Sequence, residues 1–252
     1  MNLKSKLVLA LLATSSAAFA QTAPAAPEVT YNVGVVSQYR YRSIAQTKGD
    51  PALQGGVDYA NANGLYAGAW GSTISWIKDS ATTAGQTKGS TEVDIYAGYK
   101  FEAAGVAYDV GYLRYEYVSN TLKNNTSYVN ANTDEVYGSA TYSVATLKYS
   151  ESLSNLFGNA NSKHSTYWDL SATFDLGNGY TLVPHVGRQV VKNNPNSYTD
   201  KALTLNKDLG DGLSASVSAI TTSGKGQSAF ASYLTSYDAA KDAVVVGVKY
   251  AF

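Results

Sequence analysis

Ala243-Val244-Val245-Val246-Gly247-Val248-Lys249-Tyr250-Ala251-Phe252 closes the chain with a period of two. In an extended strand Val244, Val246, Val248, Tyr250 and Phe252 share one face, while Ala243, Val245, Gly247, Lys249 and Ala251 share the other. The first face is wholly apolar. The same alternation places Trp168, Leu170, Ala172, Phe174 and Leu176 against Tyr167, Asp169, Ser171, Thr173 and Asp175. A tight turn at Gly177-Asn178-Gly179 then leads into Tyr180, Leu182, Pro184, Val186 and Val190, opposed by Thr181, Val183, His185, Gly187 and Gln189, which completes a hairpin. Pro184 is the residue that fits least, because it has no N–H to give to a ladder.

Carried along the chain, this reading predicts about twelve strands, beginning near Val29, Leu53, Leu65, Thr91, Val106, Glu135, Thr146, Thr166, Tyr180, Thr199, Leu213 and Ala243. No convincing helical stripe competes with it. The composition agrees: 21 Tyr, 22 Gly, many Ser, Thr and Val, and few charges favour strands and tight turns. Each strand with its connection takes roughly 19 residues, close to what a tilted membrane-crossing strand and its turn use.

The connections alternate in length. Those at Ala60–Gly64, Glu102–Gly105, Ser143–Ala145, Gly177–Gly179 and Gly210–Gly212 are short, whereas Tyr39–Ala52, Ile77–Ser90, Ser119–Asp134, Leu153–Ser165, Lys192–Tyr198 and Thr222–Asp242 are long and polar. Short periplasmic turns, long extracellular loops and an even strand number are the pattern of an antiparallel transmembrane β-barrel. Closure follows from the solvent, since an open edge in hydrocarbon leaves backbone groups unpaired at several kcal/mol each.

The chain begins with Lys4 and Lys6, an apolar stretch from Leu7 to Ala13, and Ala18-Phe19-Ala20. This reads as a signal peptide over residues 1–20, cleaved after Ala20, and the apolar stretch is too short for a spanning helix. Residues 21–28, with Pro24 and Pro27, read as an extended leader, and 29–252 as one barrel domain. An exported barrel of this kind is expected in the bacterial outer membrane, in contact with lipid and lipopolysaccharide. Its final aromatic, Phe252, resembles the end that such barrels present to their assembly machinery.

The remaining composition removes whole classes of function. Without its leader the chain is faintly acidic, so no basic field exists to hold nucleic acid. With no cysteine, there is no lipid anchor at a thiol, disulfide scaffold, thiolate metal site or cysteine nucleophile. No phosphate-cradling glycine loop, paired-histidine zinc spacing or ordered calcium-ligand series is present, so no cofactor is expected. His164 beside Ser165 is the one arrangement that could suggest an outer-membrane hydrolase, and its simpler reading is a solvated loop.

If the apolar parity faces lipid, the other parity faces inward. It holds Gln54, Asp58, Glu92, Asp94, Lys100, Asp109, Glu135, Lys148, Asp169, Asp175, His185, Gln189, Asp208 and Lys249. Gln38, Arg40 and Arg42 share a parity too, and they are expected to extend the inner face of the first strand toward the loop side, as a basic patch at the mouth or in pairs with Asp50 and Asp58. Such a lining implies a wet, narrow lumen for passive passage of small polar solutes or ions; a plug cross-linked by ion pairs is the alternative. A non-conducting structural or adhesive barrel working through its loops is a third reading.

The run Val35-Val36-Ser37-Gln38-Tyr39-Arg40-Tyr41-Arg42-Ser43-Ile44-Ala45-Gln46-Thr47, continued by Pro51-Ala52-Leu53-Gln54-Gly55-Gly56-Val57-Asp58-Tyr59, resembles the TorF-type family, also catalogued as the conserved hypothetical proteobacterial family Gcw_chp. Gly64-Leu65-Tyr66-Ala67-Gly68-Ala69-Trp70 and Gly247-Val248-Lys249-Tyr250-Ala251-Phe252 resemble it as well. The resemblance implies an outer-membrane barrel of a kind named porin by inference, with no catalytic residues to carry over. Ser43 departs from the glycine expected after the arginine, which bears on the local turn.

Overall fold

The computed structural model describes residues 26–80, 83, 86–195, 197–223 and 238–252. The predicted signal peptide and residues 21–25 of the predicted leader lie outside them, as does most of the last predicted loop.

Twelve wall strands run in chain order: β1 Glu28–Val36, β2 Ala52–Ala60, β3 Leu65–Thr73, β4 Thr91–Ala103, β5 Val106–Tyr117, β6 Thr133–Tyr142 and β7 Ala145–Ser152. β8 comprises Thr166–Ala172 and Phe174–Gly177, followed by β9 Tyr180–Val190, β10 Tyr198–Gly210, β11 Leu213–Ser223 and β12 Ala243–Ala251. Each starts within two residues of its predicted position. Every strand pairs antiparallel with its sequence neighbours, and β1 pairs with β12 through Asn32 opposite Ala251 and Val35 opposite Val248, which closes the barrel.

Pro184 finds its place at a break. It would stand opposite the end of the first segment of β8, where the ladder lapses between Ser171 opposite His185 and Phe174 opposite Leu182. The missing N–H is accommodated where the partner strand is itself interrupted. In the turn before β3, Gly64 has φ +93° and a Cβ there would lie 2.1 Å from the Lys100 carbonyl oxygen, so the tight connection requires glycine.

The alternation sorts the wall as its pattern requires. Val244 is 63% exposed while Val245 is 3% exposed, and Leu53, Ile95, Leu147, Leu170, Leu203 and Val217 all point outward. A continuous apolar belt of this extent has no place in water, where exposed patches rarely exceed a few hundred Å². At the turn end the belt finishes in aromatics: Tyr31 stacks on Phe252, Tyr250 on Phe252, and Phe101 on both Tyr99 and Tyr108. Beyond outward-facing Tyr112 and Trp168, toward the loop end, Arg114 pairs with Glu116 and Asp134 at 2.7 and 2.9 Å. Aromatic girdles and a charged margin bound the zone that lipid satisfies.

The apolar core lies inside the loop end of the barrel. Trp76 and Ile77, on the short helix Trp76–Asp79, pack with Tyr39, Ile44, Leu122, Leu156, Phe157 and Tyr198. Each fully buried aliphatic among them contributes about 1.5–3 kcal/mol relative to exposure. The long connections therefore fold down into the mouth.

Candidate functional site: an inward hairpin and its wall partners

The chain leaves the wall after Val36. Ser37 ends the strand by offering its Oγ to the Val246 amide at 3.0 Å, and the chain then dips into the lumen as a miniature hairpin, Arg40–Tyr41 against Ile44–Ala45. Thr47 Oγ1 accepts from the Tyr39 amide (3.1 Å), and Gln46 N donates to the Tyr39 carbonyl (2.8 Å), which fastens the hairpin's base. Gln38, Arg40 and Arg42 thus do not prolong the inner face of β1, contrary to the expectation from their parity. The parity is real, but it belongs to a separate ribbon that crosses the lumen.

Arg42 and Ser43 form the tip, with φ +45° and +65°. Two successive left-handed residues make the turn whose twist suits a two-residue hairpin, and glycine usually takes one of them. Ser43 occupies the conformation that glycine would have filled, at a cost of about 1–2 kcal/mol. Its hydroxyl donates to Asp200 Oδ1 at 3.1 Å, which offsets part of that cost.

Arg42 reaches the far wall. Nη1 and Nη2 donate to Glu135 Oε1 and Oε2 at 3.0 and 2.7 Å, and Nη1 also donates to Gln189 Oε1 at 2.8 Å. The guanidinium carbon lies 4.2 Å from the centre of the Tyr167 ring and 4.9 Å from that of Tyr41. Burial works against the charge, but the Glu135 carboxylate and the neighbouring tyrosines outweigh it, so the guanidinium pKa is held above its ordinary value. The partners anticipated for this arginine, Asp50 and Asp58, are not the ones it meets. Arg40, also buried, donates through Nη1 to the carbonyls of Ser43, Ala239 and Lys241 at 3.0, 3.2 and 2.8 Å, and through Nε to Gln38. Both arginines therefore lie within the lumen rather than on an exposed patch.

Behind the tip stands an acidic wall. His185 bridges Asp200 (Nε2, 2.9 Å) and Asp169 (Nδ1, 3.2 Å), and Tyr167 donates its hydroxyl to Asp200 at 3.2 Å. On the other side Tyr39 donates to Glu92 at 3.3 Å; Asp94 follows on the same strand face.

The turn-side half of the interior is organised differently. Lys100 stands opposite Asp109, Asp109 opposite Ser139, Ser139 opposite Lys148, Lys148 opposite Asp169, Asp169 opposite Gly187, and Gly187 opposite Asp200. Signs alternate from Lys100 to Asp169, so neighbouring charges support each other there, while the last step joins this row to the acidic wall, where His185 stands between Asp169 and Asp200. Lys148 also caps the Tyr137 ring at 4.1 Å and Lys100 the Tyr66 ring at 5.0 Å, while Tyr66 donates to Asp109 at 2.6 Å. These tyrosines lie flat over glycines: a Cβ at Gly111 would sit 2.5 Å from the Tyr137 hydroxyl, and one at Gly98 would sit 2.3 Å from that of Tyr66. Gln54 donates to Ser72 at 3.3 Å, Asp58 accepts from Tyr96, and Lys249 faces inward opposite Gly34 and Ser214.

Two residues of the predicted lining lie elsewhere. Asp175 and Asp208 are exposed on the turn rim, where their Oδ1 atoms accept from the amides of Gly177 and Gly210, each at 2.8 Å, at bulges in their strands. Their parity is still the inward one, since Asp175 stands opposite Thr181 and Asp208 opposite Ser214, and each bulge comes only after the aspartate; they are exposed because the strand has reached the rim. The sequence reading also missed Asp200 and Tyr167 as partners of the site; Asp200 falls in inward register with Gly187, which was the available signal. At the loop side, His164 Nδ1 pairs with Glu151 at 2.7 Å while Ser165 donates to the Ser162 carbonyl at 2.6 Å, so the two adjacent residues use different partners.

Residues 20–252 match a single family of bacterial proteins. The chain belongs to the Gcw_chp family, whose function is unknown. No curated protein matches the sequence. Among solved structures, this Gcw_chp chain is similar to a KdgM porin determined in complex with disordered oligogalacturonate, with a TM-score of 0.54, 11% identity, and coverage of 89% of this chain and 98% of that one. A structure from work on in-meso crystallization of membrane proteins is similar at a TM-score of 0.50 and 6% identity, over 89% of this chain and 83% of that one. At these identities the likeness is one of fold. The Gcw_chp chain has the architecture of an outer-membrane porin barrel.

Proposed function

We propose that this protein is a porin-like channel of the bacterial outer membrane that admits small polar solutes, and that the Arg42–Ser43 hairpin regulates its lumen. The observation that carries the reading is a closed barrel with a lipid-suited exterior and an inner wall of charged, amide and hydroxyl side chains, the apolar core being confined to the loop end. The hairpin narrows that interior from within. Its tip is seated by side-chain bonds to the far wall, and its base by Arg40 and the Ala45 amide on the Ala239 carbonyl and by the Ser75 and Trp76 amides on the Gln46 carbonyl, so the tip bonds are the part that a solute can exchange.

Purified protein in planar bilayers tests this reading. Conductance steps are expected, larger or more frequent when Gln38–Thr47 is replaced by a short Gly-Ser linker. If neither form conducts, the channel reading fails. The buried, mutually paired interior then favours the second reading, a barrel whose role is structural. The solved structures described above suggest no particular solute for this chain, because their likeness is confined to fold.

A further inference from the structure

The geometry points to a guanidinium receptor built into the barrel wall, with Arg42 as its tethered occupant and small monosubstituted guanidinium compounds as its external ligands. This assignment rests on the channel reading for the passage of such solutes and names their class.

Three wall residues make the receptor. Glu135 on β6 supplies two carboxylate oxygens at bidentate spacing, Gln189 on β9 supplies Oε1, and Tyr167 on β8 supplies a ring face 4.2 Å from the guanidinium carbon. A planar cation with two parallel N–H donors meets all three at once, whereas an ammonium is a point charge that cannot make the fork.

The receptor's groups are held by wall contacts as well as by the hairpin, whose Tyr41 bonds Tyr115. Tyr115 donates to Glu135 Oε2 at 3.1 Å, and Gln189 Nε2 donates to the Thr166 carbonyl at 3.1 Å, which leaves Oε1 turned to the lumen. Tyr167 is fixed by Asp200 and His185. These contacts join wall to wall and do not pass through the hairpin. The local charges also favour a cation: Glu135 takes its guanidinium from Arg42, whereas Asp169 and Asp200 already have His185 between them, and Lys148 stands opposite Asp169. A carboxylated solute would meet like charge there, and a neutral one would leave the carboxylate unpaired.

The loop complements this. Its tip holds two non-glycine residues at positive φ, so part of the seating energy is spent on backbone strain, and a free guanidinium carries no such cost. Arg42 is then a competitor of limited strength, which an incoming guanidinium can replace.

Methylguanidinium chloride titrated calorimetrically into detergent-solubilised protein is the test. Arg42→Ala is expected to bind it at least about tenfold more tightly than the unaltered protein, and Arg42→Ala/Glu135→Gln is expected to lose that gain. Tetramethylammonium should not substitute. Should Arg42→Ala fail to fold alone, its refolding with methylguanidinium present, compared with sodium chloride at equal ionic strength, becomes the readout, and rescue by the guanidinium alone is expected. Equal affinity for Arg42→Ala and the unaltered protein, binding indifferent to Glu135→Gln, or refolding that both salts restore equally would overturn the assignment. Binding without bilayer conductance would leave the receptor standing and remove the channel; conductance without binding would do the reverse.

Discussion

Arg42 and Glu135, 93 positions apart in sequence, meet as a bidentate pair inside the barrel, with side chains only 4% and 3% exposed. A pair so enclosed draws its strength from geometry, and its removal is asymmetric. Arg42→Ala leaves a buried carboxylate without its cation and should cost about 3–5 kcal/mol, whereas Arg42→Leu/Glu135→Leu should recover most of that loss. Urea unfolding in detergent micelles, followed by the shift of the heat-modifiable band, measures both. A double variant no more stable than the single one would mean that the pair is not a coupled unit.

Ser43 sets two opposed effects against each other. Ser43→Gly removes the strain of a left-handed serine but also the bond to Asp200, so the two changes should nearly cancel, within about 1 kcal/mol. Ser43→Val loses the hydroxyl and adds a β-branched side chain at φ +65°, and should destabilise the hairpin by clearly more. Limited proteolysis between Gln38 and Asp50 reads hairpin seating directly: slow for the glycine form, fast for the valine form.

The glycine beside the acidic wall is equally exacting. A Cβ at Gly187 would lie 2.0 Å from the Tyr167 hydroxyl and 2.7 Å from Asp200 Oδ2. Gly187→Ala must therefore displace Tyr167 from Asp200 and His185, with a loss of about 1–3 kcal/mol from overpacking. Gly105→Ala, where nothing stands within 4 Å, supplies the contrast, its cost arising from φ +75° alone. If chemical denaturation shows no extra loss at Gly187, the tyrosine is not held as described.

Whether the outer face meets hydrocarbon is decided by charge. Val246→Arg places a guanidinium midway along an outward face and should cost about 2–4 kcal/mol in a bilayer, with much less at an interfacial position such as Thr199. Folding into vesicles under urea compares them. Equal costs at both positions would argue against a spanning barrel.

The wall was legible from sequence because everything that specifies it is local. A period of two fixes which side chains face lipid, and glycine or asparagine marks the short turns, except at Ser143-Val144. Even Pro184 could be placed as an exception. The inward hairpin was not legible, although its residues were conspicuous. Arg-Ser at a two-residue turn carries none of the Asn-Gly signature that marks such turns, and the groups that draw the tip inward, Glu135, Gln189 and Asp200, come from strands far along the chain. The parity of Arg40 and Arg42 correctly joined them, yet parity carries no information about whether a ribbon stays in the wall. The rim aspartates differ for a smaller reason: their parity is inward, but parity does not say how far along the strand the lumen ends.

The hairpin leaves from β1, and β1 is also the strand that seals the cylinder against β12. The tip's anchors lie on β6, β9 and β10, which emerge later and form the opposite arc. Arg42 can find Glu135 and Gln189 together only after that arc has curved round to enclose it. Seating of the tip therefore follows completion of the circumference: a seated hairpin reports a closed barrel, while a closed barrel does not require the tip to stay seated.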